Sequence, residues 1–578
     1  MSGISAAIFE SAGRRTEHWI PGSYSRSNNV SNPGGIGAGN LVIMGKSTGG
    51  EPGKLLSFTT LAEAKETLLG GDLLDGVGHA FNSSPDFVPQ RVHAMRVNNG
   101  TQAEFSLKNG EISILNLKAG IWGVKGNQVK IKTTRSDGKI SIGMSYQGND
   151  VEVTGIEKKS LSVVYTGELE GGATITVTNT GCKLLTSEDT IEIEFDSCEY
   201  IADLVARINE YRNADGDAIF SANLLDYSAA VPTSELDNVN GVAISQDDES
   251  PTILKSDLQA MIEALSTLRY IGSVELNSAA ARVLPDDIDV YQYFSGATDG
   301  DYTVLEWVEA LEKLETEDIQ IISTPSADED VQRLIVNHCI SMSSTENRRE
   351  RTCILGGTKN ESVDQALVKA AGYNSKLVSY VCDTAIASDP FTGKSVTISP
   401  ALLACKIAGM EAGAAVNTPL TNKTLSVLGF VAKRRKSELE AMIRGGIMPC
   451  AENEEGNLVV IRAMTTYQSD DLMSCERSMV REDLFMNRDL RQKFSPMIGS
   501  VGELAPTFIA DVLKDAAKTW AEQGYIVPTE DGKNVWNIHV TVNGDKVYLT
   551  YDRYLAAPRN FVFITSNNYV YTTANVEL

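Results

Sequence analysis

Apolar residues change their spacing several times along the chain, and each change predicts a different element. Over residues 1–40 they are sparse, and Ser, Gly, Asn and Pro lead up to SNPGGIGAGN. That texture predicts an extended arm and linker whose apolar edge consists of Ile4, Ile8 and Phe9. LVIM (41–44) reads as a short buried strand, LAEAKETLLG (61–70) as a helix stopped by a Gly-Gly pair, and RVHAMRV (91–97) as an alternating strand. From about 100 to 245 the period is close to two. EISILNL, QVKIKTT, KISIGMS, SLSVVYT, ATITVTN and TIEIEF predict strands between Gly, Asn and Asp turns, with one helix in YIADLVARINEYR (200–212).

Beyond about 250 helix and strand patterns alternate. LKSDLQAMIEALSTL (254–268), VLEWVEALEKLE (304–315) and DEDVQRLIVNHCISM (328–342) carry apolar residues at helical spacing, and IQIIST (319–324) and RTCILGG (351–357) read as strands. This rhythm predicts an α/β layered core. ALLACKIAGMEAGAAV (401–416) is a helix built from small residues, whose glycines imply close packing. After 530 the pattern is β again, through VWNIHVTV, KVYLTYD and FVFITSNNYVYTT (561–573). The expected organisation is an arm and linker (1–40), a first core segment (41–99), one or two inserted β-rich domains (100–245), a second core segment (246–466) and an α+β C-terminal domain (467–578).

Charge narrows the function. Lys and Arg number 51 against 76 Asp and Glu, a formal net charge of −25 in 578 residues. Such a chain repels phosphate backbones and anionic lipid, so nucleic acid and membrane surfaces are poor main partners. No apolar run reaches the roughly 20 residues of a membrane helix, and the N-terminus has no secretory pattern. The eight cysteines form no CxxC pair, and no Cys/His group has the spacing of a metal site, so neither a metal nor a cofactor is expected.

Catalytic motifs fail on their surroundings. GNLVIMGKSTGG (39–50) holds Gly-Lys-Ser after a strand, but a phosphate loop needs glycine where Asn40 stands and a helix where TGGEPG follows. Gly45-Lys46-Ser47-Thr48-Gly49 also matches GxSxG, and His338 or His539 nominally completes the order of a hydrolase, but the glycines and Pro52 deny the helix a nucleophile elbow needs. A serine hydrolase using Ser47 therefore stands as one alternative, and a static surface-layer or adhesion protein as another. The basic run Lys433, Arg434, Arg435 and Lys436 stands out in an acidic chain, either as a solvated helix start or as a docking patch for an acidic surface.

The segments that fail as enzyme motifs fit one family. IPGSYSR (20–26), LVIMGKSTGGEPGKLLSFTTLAEAKETLLGG (41–71) and RVHAMRV (91–97) resemble the N-terminal landmarks of contractile-tail sheath proteins of phages and related injection systems. LKAGIWGVKGNQVKI (117–131) resembles the start of that family's inserted β domain, although Val-Lys-Gly separates Gly123 from Asn127. FSGATDG (294–300) is similar to a family loop, with Ala297 at one glycine's place. PALLACKIAGMEAGAAVNTPLTNKTLSVLGF (400–430) and AMIRGGIMPCAENEEGNLVVIRAMTT (441–466) carry the densest likeness.

The resemblance implies a structural protein rather than an enzyme, with a subtilisin-like layered core that lacks a catalytic triad. It implies helical self-assembly, with six subunits per ring, around an inner tail tube protein. Baseplate and tail terminator proteins would be further partners, without direct nucleic-acid contact or membrane insertion. The location would be the virion tail, assembled in the host cytoplasm. It also implies terminal arms that complete a neighbour's sheet. Ile4, Ile8 and Phe9 at one end and Phe561, Phe563, Tyr569 and Tyr571 at the other are the candidate assembly residues, with Lys433, Arg434, Arg435 and Lys436 as a candidate patch toward the tube.

Overall fold

A computed structural model describes residues 39–167, 172–213, 215–226, 228–499 and 505–568, and the backbone alone of 7–11 and 14–18. These residues fall into two units: 40–414 with 419–477, and 1–39 with 415–418 and 478–578.

The larger unit is built on a six-stranded sheet. Its strands are β1 (Leu41–Gly45), β2 (Leu55–Phe58), β3 (Val92–Arg96), β4 (Ile321–Ser323), β5 (Thr352–Gly356) and β6 (Val378–Val381), in the order β6-β5-β4-β1-β3-β2. All neighbours are parallel except β2, which closes one edge antiparallel to β3. The apolar run of β1 is buried throughout, as a central parallel strand requires. Its side chains alternate between two cores. Leu41 and Ile43 join α1 (Leu61–Leu68), α2 (Asp72–Phe81) and α6 (Pro400–Gly413), while Val42 and Met44 join α3 (Val304–Leu314), α4 (Glu329–Met342) and α5 (Val363–Tyr373). The result is an α/β/α sandwich. The small residues of α6 serve that packing: a Cβ on Gly409 would collide with the backbone of Ala80 in α2.

Between β3 and α3 the chain makes a long insertion with two apolar cores. The first inserted domain pairs Gln102–Asn109, Ile112–Trp122 and Ile271–Leu276 in one sheet and Lys130–Ser136, Lys139–Tyr146, Asn149–Ile156 and Ile288–Tyr293 in another, packed on the helix Asp257–Thr267. A second domain is nested inside it. Its sheets are formed by Lys159–Tyr165, Phe220–Leu224 and Thr252–Lys255, and by Ala173–Val177, Gly181–Leu185, Thr190–Glu194 and Val239–Ile244, around the helix Ile201–Asn209. The helix at 257–267 and the strands at 271–276 and 288–293 thus pack with the insertion, not with the α/β core segment that the pattern begins at 246. Their apolar periods are the same in either place; only the partner decides.

The smaller unit contains the helix Pro506–Glu522, most of Arg477–Phe494, and the hairpin Trp536–Asn543 with Lys546–Asp552. Met486, Leu513, Ala516, Ala517, Trp520, Ile526 and Val535 form its core. Near the N-terminus Ala7–Ser11 pairs antiparallel with Arg14–His18, so the stretch expected as an extended arm contains a two-stranded hairpin. The C-terminal run expected as a strand from 561 has no strand among its described residues, which end at 568.

Candidate functional site

A sheet of this topology offers one place for a ligand, the crevice at the carboxyl ends of β1 and β4, where the connections diverge to opposite faces. Here that crevice is filled. Leu73 packs on Gly45 and donates its backbone N–H to the Lys46 carbonyl at 2.9 Å, and Pro325 closes on Gly45 from the β4 side. Ser47 is fully buried, and its hydroxyl donates to the Gly49 carbonyl at 2.6 Å. His338, one candidate base, bonds Arg351 through Nε2 at 2.6 Å, and burial together with Arg351 lowers it to about 4. The geometry gives the Ser47 hydrolase reading no support.

The glycine-rich turn after β1 has a different partner set. Arg96, at the end of β3, has no exposed surface and donates to the carbonyls of Asn98 at 3.1 Å, Gly50 at 2.9 Å and Asp299 at 3.0 Å. Asn98 accepts from the Ser47 N–H at 3.0 Å and donates to the carbonyls of Ser47 and Asp299. The Asp299 carboxylate accepts from Val124 N–H at 2.9 Å. Gly123 has φ +81, and a Cβ there would lie 2.6 Å from the Thr48 carbonyl oxygen. GKSTGG, GIWG and ATDG are therefore one knot, tying the start and end of the insertion to the core. Burial lowers the Arg96 guanidinium to about 10, with Asp299 opposing that shift. The alternation of RVHAMRV places Arg96 on a strand, but a buried arginine leaves no mark in such a pattern; the nearby glycines are the only hint.

A second buried centre is also silent in the sequence. Arg477 pairs with Glu411 of α6, donating to its Oε1 at 2.9 Å, and also bonds the Cys353 carbonyl, Ser379 Oγ and Thr352 Oγ1. Both side chains are almost wholly buried. Removing one partner of such a pair strands the other in a low dielectric.

The basic run divides. Arg434 Nε lies 2.9 Å from the buried Asp383 carboxylate, which also accepts the Cys450 N–H, so Arg434 holds the core together. Lys433, Arg435 and Lys436 are exposed at the start of the helix Lys436–Arg444.

In the smaller unit the hairpin at 536–552 forms a sheet of two strands among the described residues. One face packs on the unit's core through Ile538, Leu549 and Tyr551; toward the turn the same face leaves Val542 and Val547 exposed, and Tyr548 is exposed on the other face. Phe561 and Phe563 are 67% and 91% exposed, with stacked rings 6.3 Å apart, and Val562 and Ile564 are equally open. Ile8 and Phe9 fall in the first N-terminal strand, of which only the backbone is described; Ile4, Tyr569 and Tyr571 lie outside the described residues. Among the described residues no group of acidic, Cys and His side chains could hold a metal, and no helix is long and apolar enough to cross a membrane.

These features define an α/β protein with a close-packed crevice, a tied-in insertion and exposed apolar tail residues. Residues 300–466 match the model of the phage tail sheath protein central domain. The chain is 25% identical over 580 residues to the tail sheath protein of Bacillus phage SP01, with 96% of each covered. It is 22% identical to that of Staphylococcus phage Twort, over 71% of this chain and 72% of the relative. Its fold is similar to the sheath tail protein from Listeria innocua, with a TM-score of 0.57 at 12% identity over 91% of this chain and 94% of that one. The chain is thus similar to phage tail sheath proteins over nearly its whole length, with the family's central domain matched at residues 300–466.

Proposed function

We propose that the protein is the repeating subunit of a contractile tail sheath. Copies stack as rings of six around an inner tube, and passage from a metastable extended state to a shorter, wider one drives the tube through a target envelope. Similarity to a phage sheath protein over 96% of the chain carries this reading. The filled crevice agrees with a protein that works by assembly rather than catalysis, and contraction driven by better-packed interfaces needs no nucleotide. The core is read as a subtilisin-like layered fold without its triad, and the protein as a virion tail component assembled in the host cytoplasm beside tube, baseplate and terminator proteins.

Subunits are linked by terminal segments that add strands to another copy's C-terminal sheet. A two-stranded sheet is marginal alone and offers open edges, and main-chain hydrogen bonds give an added strand its affinity. The hairpin at 536–552 suits the receiving role, and the apolar residues Ile8, Phe9, Phe561 and Phe563 suit donation. Head-to-tail contacts that do not close build a helical polymer. Negative-stain microscopy of the purified protein, alone and with its tube partner, tests the reading. Long hollow striated cylinders are expected; dispersed monomers at high concentration with the tube present would overturn it.

A further inference from the structure

The two inserted domains meet across a polar seam. Their apolar cores are separate, one gathered around the helix Ile201–Asn209 and the other around Asp257–Thr267. The chain passes between them twice, and the two crossings lie side by side, with Lys159 paired to Lys255. The helix Asp257–Thr267 of the first domain starts at the return crossing. Its N-cap residue, Ser256, makes no side-chain capping bond, and its hydroxyl meets Ser160 Oγ at 2.7 Å. The cap comes from the nested domain instead: the Asp237 carboxylate accepts from Asp257 N–H at 2.8 Å and from Leu258 N–H at 3.1 Å. A carboxyl group at a helix N-terminus accepts from orphan N–H donors, and its oxygens can do so without a net charge.

The other seam contacts are also polar. Asn238 N–H donates to the Arg282 carbonyl at 2.7 Å, and Asn179 Nδ2 to the Ala280 carbonyl at 2.8 Å. The charges around Asp237 come from every neighbouring element. Asp257 stands at the helix start and Arg282 on the loop after strand Ile271–Leu276. Lys158 and Lys255 lie on the crossings, with Glu157 beside Lys255, and Glu235 shares Asp237's own loop. Lys158 also faces Glu263 of the helix.

We infer that Asp237 is a latch that caps a helix of the first inserted domain and thereby fixes the nested domain, which otherwise turns about its two-strand neck. The latch responds to pH. Burial raises the carboxyl from 3.8 to about 7; the Leu258 and Asp257 N–H groups and Arg282 pull it down, and the Asp257 carboxylate adds to the rise. Released into water, the group returns to its ordinary value. The closed state therefore holds a proton that the open state lacks between about pH 4 and pH 7, so opening becomes easier as pH rises through that window.

The test is the distance distribution between spin labels in the full chain, one at Lys183→Cys on the nested domain and one at Lys118→Cys on the first. All eight native cysteines are buried, which leaves the new thiols to take the labels. The parent chain should give a narrow distribution at pH 5.5 and a broader one at pH 8. Asp237→Ala should be broad at both. Asp237→Asn, whose neutral amide oxygen still accepts the helix N–H groups, should be narrow at both. An Ala variant as narrow as the parent at both values would overturn the latch, as would an Asn variant that keeps the parent's pH response.

Discussion

Lys406 lies in the middle of α6 with no exposed surface, its ammonium hydrogen-bonded to the Asn82 carbonyl. Burial lowers it from 10.5 to about 7. The unfolded chain therefore binds a proton that the folded chain lacks between those values, and this site's contribution to stability rises with pH across the window. Lys406→Met keeps the side-chain length and removes the buried charge, so it should stabilise the α/β body at pH 7 by a few kcal/mol and flatten that rise; thermal melts at pH 7 and 9 check both. His79 and His338 act on the acid side. Burial, with Lys406 beside the first and Arg351 beside the second, holds both at about 4 against an ordinary 6.5. Their contribution is intact above 6.5 and is lost as pH falls toward 4, so melts should drop over that range and drop less in His338→Asn. The sequence places His338 on an amphipathic helix and Lys406 on a small-residue one, and predicts no helix around His79; which polar side chain ends up buried depends on what packs against it. A bland structural role is legible for the histidines; the burial of Lys406, Arg96, Glu411 and Arg477 is not.

At the level of elements, strands and helices with a regular period are where the pattern puts them: LVIM becomes β1, RVHAMRV becomes β3, and the helices at 304 and 328 follow their apolar stripes, while the small-residue helix at 400 is buried nearly all round. Segments whose partner lies far off are harder to read. The helix Asp257–Thr267 belongs to the insertion because its apolar face meets the inserted sheets, a choice made by a distant stretch of chain. The run at 561–564 is apolar and β-prone, as a strand would be, but has no strand beside it among the described residues. Replacing Phe561 and Phe563 by Ser, or deleting residues 1–20, should leave a folded subunit by circular dichroism that forms no long tubes under the microscope. The basic run yields a second contrast. Arg434→Ala leaves Asp383 buried without its cation and should cost about 3 kcal/mol. Charge reversal at Lys433, Arg435 and Lys436 should change stability by less than about 0.5 kcal/mol while altering the salt dependence of tube assembly.

For the whole molecule, charge is unevenly placed. Residues 160–251, essentially the nested domain, carry 18 acidic and 3 basic side chains, so −15 of the chain's −25 resides there. Wherever copies of this domain come within about 10 Å of one another in a polymer, their like charges repel unless salt screens them. Because the domain has its own core and its crossings lie side by side, excising 160–254 should leave the remaining fold intact and make assembly less dependent on salt. The likeness to sheath proteins was legible through the landmarks between 20 and 466, because glycine-rich knots and close-packed helices force particular residues at particular spacings. Assembly contacts leave weaker traces, since a strand partner supplied by another copy has no counterpart in the pattern of one chain. The most direct measurement is a helical cryo-electron microscopy reconstruction of the assembled polymer. The hairpin at 536–552 is expected to gain strands contributed by the terminal segments of other copies. A polymer in which that hairpin stays two-stranded, with both ends of each chain lying on their own subunit, would contradict it.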